Sequence, residues 1–141
     1  MTQLSLLGTP YQLAGVMTAI RAAMRATAGA PDGEGRKALP DRMNAIARQA
    51  GIRLTQGNKD SVSKDTLDKW LAPSDASHPP SILAILAFCV ATADYAPLRA
   101  MLHSIGLDIM TPDDRKMCEY GRAMIEQKRV KKLLRKLEEE L

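Results

Sequence analysis

Across residues 62–71 the chain is apolar at Val62, Leu67, Trp70 and Leu71 and polar at Ser63, Lys64, Asp65, Thr66, Asp68 and Lys69. Leu67, Trp70 and Leu71 stand at i, i+3 and i+4, which predicts a short helix with one buried stripe. Ser63 is a suitable N-cap, and Val62 faces Leu67 as a hydrophobic staple. Pro73 ends the helix. The outer face, small and polar with basic groups near its start, suits a helix laid across a DNA groove. It equally suits an ordinary capped surface helix, so the neighbouring segments have to decide.

Upstream, Thr9-Pro10-Tyr11-Gln12 predicts a helix start that runs to about Ala28, with Leu13, Val16, Met17, Ile20 and Met24 on one face. Arg21 and Arg25 form a basic pair beside that face. The glycines across 29–35 predict a breaker and a mobile loop. A second helix is expected from near Pro40, turning Met43, Ile46 and Ala47 inward and ending at Gly51. Residues 52–62 then read as a loop around the turn signal Gly57-Asn58.

Downstream of a second loop at 73–80, the run from Ser81 to about Thr92 is apolar nearly all round. That predicts a central core helix. A shorter helix follows from about Pro97 to Ser104. Thr111-Pro112-Asp113-Asp114 opens a last helix with cap, proline at the first position and acids at the positive end of the dipole. It continues to Leu141, with Tyr120, Met124, Val130, Leu134, Leu137 and Leu141 forming an apolar seam. Gln127 and Lys131 interrupt the seam and argue against a long regular coiled coil. The pattern is therefore all-α: a helical domain over 1–110 and a C-terminal helix over 111–141 for packing or oligomerisation.

Composition narrows the function classes. Aromatic residues make up only 4% of the chain, so the core must be built from Ala, Leu, Ile and Met, which favours helices over sheets. No apolar run is long enough for a bilayer, and MTQLSLLG does not read as a secretory signal. Cys89 and Cys118 read as free thiols, which fits a cytoplasmic setting. His78 and His103 have no metal-ligand spacing with the cysteines. No nucleophile–base set or phosphate-cradling glycine loop is present, so neither a cofactor nor an enzymatic role is expected.

The formal charge of +4 attracts polyanions without choosing among them. Residues 1–62 hold 8 basic and 4 acidic side chains, and 112–141 hold 9 and 7. Basic groups outnumber acids six to three across 42–71. The run Lys128–Lys136 is also basic, but Glu138, Glu139 and Glu140 follow it, and such a run is commonly a solvated face.

Ala45-Ile46-Ala47-Arg48-Gln49-Ala50-Gly51-Ile52 resembles the first helix and turn of the helix-turn-helix in lambda-repressor-like regulators. Val62–Leu71, with its Ser-x-x-Thr-Leu-x-x-Trp-Leu pattern, resembles their recognition helix, and Ile82–Met101 their fourth and fifth helices. Within that superfamily the likeness is greatest to the small CII-like regulators of phages and prophages. The resemblance spans about residues 38–107. It implies a five-helix repressor-like domain that binds specific double-stranded DNA as a homodimer or higher oligomer, without a cofactor. By position, Ser63, Lys64, Asp65, Thr66 and Lys69 would face the bases, and Arg42, Arg48, Arg53 and Lys59 the flanking backbone.

Two features depart from that family. The turn between the paired helices has eleven residues instead of a few, and Asp65 and Asp68 lie on the expected DNA face. Each acid repels phosphate unless it accepts a hydrogen bond from cytosine or pairs with a neighbouring Lys. The alternative from another class is a helical protein–protein interaction module that keeps the fold and binds through its last helix.

Overall fold

The computed structural model describes residues 13–55, 60–74 and 77–141. Among these it contains six helices and no strand: α1 (Val16–Ala28), α2 (Glu34–Ala50), α3 (Lys64–Leu71), α4 (Ile82–Thr92), α5 (Ala96–His103) and α6 (Pro112–Glu140). The chain divides into two compact units, 1–108 and 109–141. No helix among the described residues is long and apolar enough to cross a membrane.

In the first unit α1 packs on α5 and α2 on α4, while α3 is held by α1 and α2. One core joins Ile20 and Met24 of α1, Leu39 and Met43 of α2, and Leu67, Trp70 and Leu71 of α3 to Ile85 and Phe88 of α4. Leu54 and Val62 bring both ends of the long α2–α3 connection into that core. A connection anchored at its two ends has far fewer conformations to lose than its length suggests.

The structure differs from the expected reading in two informative places, one a helix boundary and one a matter of burial. The start expected at Thr9–Gln12, and the turn at Gly57-Asn58, lie outside the described residues. The second helix begins at Glu34, six residues before Pro40, which lies inside it. Gly33 caps in an extended conformation and Glu34 puts a carboxylate at the positive end of the dipole, so the helix forms despite Gly35. Pro40 forfeits the backbone bond to the Arg36 carbonyl but is itself buried. At the other end Gly51 adopts φ 68°, and the Ile52 N–H reaches the Ala47 carbonyl at 3.0 Å, a Schellman closure.

The second difference concerns α4. It is not enclosed on all sides: Ala84, Ile85, Ala87, Phe88 and Cys89 are buried, but Ile82, Leu83, Leu86 and Val90 are exposed. A helix that is apolar all round carries no periodic signal of which side is covered, and the neighbours here, α1, α2 and α5, are too few to surround it.

In the second unit Thr111 and Asp114 form a complete capping box. The Asp114 N–H donates to Thr111 Oγ1 at 3.1 Å, and the Thr111 N–H to Asp114 Oδ2 at 3.0 Å. The 29 residues of α6 include none that is buried, and its whole apolar seam is exposed.

Candidate nucleic-acid interface

The site is best built from α3 outward. Ser63, in extended conformation, accepts the Thr66 N–H at 3.1 Å, and its hydroxyl also meets Thr66 Oγ1 at 3.0 Å. Both hydroxyls are thus oriented by each other at the amino end of the helix. Leu67, Trp70 and Leu71 turn into the core and leave Asp65 and Lys69 exposed, with Lys64, Thr66 and Asp68 half-buried beside them.

The entry to α3 is fixed by a residue on α2. Asn44 Nδ2 donates to the Val62 carbonyl at 2.8 Å, and Asn44 Oδ1 accepts the Val62 N–H at 2.7 Å. One carboxamide thereby satisfies both backbone groups of the residue before the N-cap, as a neighbouring strand would. In a short-turn motif the turn itself supplies the bracing; here a side chain does.

The exit is fixed from α1. Arg21 Nη1 donates to the Ala72 carbonyl at 2.6 Å and Arg25 Nη1 to the Leu71 carbonyl at 2.7 Å. Two guanidinium groups, one of them 4% exposed, therefore sit at the negative end of the α3 dipole. The basic pair noticed on the first helix has a structural role.

A third arginine changes the reading of the outer face. Arg36, 6% exposed, donates through Nε to Asp68 Oδ1 at 3.1 Å, and its Nη2 lies 3.1 Å from the same oxygen. Its Nη1 reaches the Gly29 carbonyl at 3.3 Å. The other Asp68 oxygen takes Lys64 Nζ at 3.0 Å. The Asp68 carboxylate thus has two cationic partners, one of them buried, and presents little uncompensated charge. Asp65 keeps its exposed position on the same face.

The residues expected to flank α3 separate. Arg48 lies one helical turn after Asn44, on the side of α2 that meets the start of α3, and is exposed. Arg42 lies two residues before Asn44, on roughly the opposite side of the helix, and donates to the Ala91 carbonyl at 3.2 Å near the end of α4. It is drawn there by free carbonyls at a helix C-terminus and does not join the α3 surface. Arg53 pairs with Asp60 at 3.5 Å. Lys59 lies outside the described residues. Among the described residues no group of three or more His, Cys, Asp or Glu is placed to hold a metal ion.

No protein family, characterised protein or solved structure matches the chain. Its chemistry follows from its own groups: two oriented hydroxyls, two lysines and Asp65 along one rigidly held helix, with Arg48 on the side of α2 that meets its start.

Sequence reasoning missed Asn44 and Arg36, and gave Arg21 and Arg25 no task. Arg36 lay between the breaker at 29–35 and the helix expected from near Pro40, which hid its helical position beside Leu39 and Pro40. For Arg21 a signal existed: it adjoins Ile20 and lies three residues before Met24, and a basic residue bordering a core stripe must find acceptors there.

Proposed function

We propose that this chain is a cytoplasmic DNA-binding regulator of helix-turn-helix type, α2 and α3 being the paired helices. It resembles the lambda-repressor-like regulators of phages and prophages in the order of its helices and in the Ser63–Leu71 pattern. The observation that carries the reading is the mounting of α3: side chains of α1 and α2 grip both its ends, while Asp65 and Lys69 on its outer face stay exposed. A helix held this way meets base edges with little orientational freedom left to lose. Neutralisation of Asp68 by Arg36 removes one of the two acids that would oppose phosphate.

In this reading Ser63, Thr66 and Lys69 contact bases or phosphates, Lys64 contacts phosphate when exchanged from Asp68, and Arg48 holds the flanking backbone. The regulator works as a homodimer or higher oligomer with the α6 seam as the contact between copies; dimeric regulators of this type set two recognition helices about one duplex turn apart. The exposure of that seam equally favours the second reading, a protein-interaction module whose contact is α6.

Selection from random duplex DNA at two salt concentrations tests the first reading. Enrichment of a pseudo-palindromic site, lost in the Lys64→Ala/Lys69→Ala double variant with helicity unchanged, is the expected result. Binding that enriches nothing and vanishes with added salt is charge attraction alone and leaves the second reading.

A further inference from the structure

Between α3 and the segment leading into α4 lies a cleft of about 600 Å³, inside the range of roughly 300–1,000 Å³ typical of small-molecule sites. Met17, Leu54, Trp70 and Pro80 give it an apolar lining. Among the described residues Lys69 and His78 are its ionisable side chains, and no Asp or Glu lines it. Among the described residues the Lys69 ammonium has no ion-pair or hydrogen-bond partner. Ser81 and Ile82, the cap and first residue of α4, also line the cleft, so the positive end of that helix dipole borders it.

A cleft that combines apolar walls with a cation, a positive helix end and no acid among its described lining residues is complementary to one class of ligand. We propose that the cleft binds a small amphipathic organic anion, a carboxylate, sulfonate or phosphate ester on an apolar body. The anionic group meets Lys69, and the body lies over Trp70, Met17 and Leu54. Lys69 and Thr66 belong both to this cleft and to the proposed DNA-contacting face. Ligand and duplex therefore compete for Lys69, which makes the cleft an effector site; this consequence alone rests on the DNA reading.

The test uses the full chain and 2-naphthalenesulfonate as probe. Trp70 is the only tryptophan, so its single indole N–H resonance reports occupancy directly. The expected result is a saturable shift of that resonance at one probe per chain. Lys69→Gln, an exposed position, weakens binding about five- to tenfold. Ile82→Glu does so as well: Ile82 is 68% exposed, and an acid at the first residue of α4 suits the helix while opposing the anion. Absence of a saturable Trp70 shift overturns the proposal. So does retention of the parent affinity in both variants, which places the probe on another apolar surface. In a second arm the probe is titrated against a bound duplex. A chain that binds no duplex but keeps the Trp70 shift sinks the DNA reading and leaves the cleft standing. Duplex affinity indifferent to saturating probe removes the effector role.

Discussion

Replacing Asp68 by Ala removes the carboxylate and leaves the Arg36 guanidinium, with a side chain only 7% exposed, holding one contact at 3.3 Å to the Gly29 carbonyl. Breaking one side of a buried pair costs ~3–5 kcal/mol. Because the Asp68 side chain is 33% exposed and part of the pair is screened by solvent, the expected loss is about 2–3 kcal/mol. Arg36→Met is the milder change. It keeps the aliphatic bulk in place and leaves Asp68 with water and with Lys64 at 3.0 Å, so about 1 kcal/mol is expected. The double variant has no stranded charge and should fall close to Arg36→Met, not to the sum. Urea unfolding followed by circular dichroism, with the m-value unchanged across the four proteins, measures all three differences. Asp68→Ala proving no costlier than Arg36→Met, or a double variant that is simply additive, would refute the view that Arg36 depends on this carboxylate.

Three further outcomes are expected. Asn44→Ala strands both backbone groups of Val62 and should cost about 1–3 kcal/mol in the same unfolding experiment; Asn44→Asp, which retains only the acceptor, should recover part of this, and a neutral Asn44→Ala would show that the clamp is dispensable. Burial raises the Cys89 thiol above its ordinary value of 9.0, a backbone hydrogen bond with Leu98 working against this and Asp94 adding to it. Its contribution to stability is therefore intact below pH 9 and declines as pH rises through the folded-state value, so alkaline destabilisation should be smaller in Cys89→Ala, and native-state alkylation should modify Cys118 before Cys89. Truncation after Asp114 should lower the oligomeric state measured by light scattering; an unchanged stoichiometry would remove α6 as the contact between copies.

What the sequence discloses here follows from how local each signal is. Ser63, Gly51 and the Thr111–Asp114 box act within one helical turn, and their residue types suffice to place them. The stripe of Leu67, Trp70 and Leu71 is legible for the same reason. The partners of Arg21, Arg36 and Arg42 lie 51, 32 and 49 residues away, and no periodicity points to them. Glu34 is a case of competing local signals, in which a capping glycine and a favourable dipole outweigh Gly35 and Pro40. The candidate DNA face was visible as a set of residue types. Its charge was not, because Asp68 is compensated by an arginine from another helix.

The mounting of α3 has a consequence for how such a surface can change over time. Arg21 and Arg25 hold α3 by backbone carbonyls, and Asn44 holds the segment before it by a backbone amide and carbonyl. These grips do not depend on which side chains the helix displays. Positions 65, 66 and 69 can therefore be rewritten with little effect on where the helix sits, provided the buried stripe and Asp68 remain. The scaffold is in effect a holder with an exchangeable outer edge, whose displayed side chains can be changed by few substitutions and without refolding the socket.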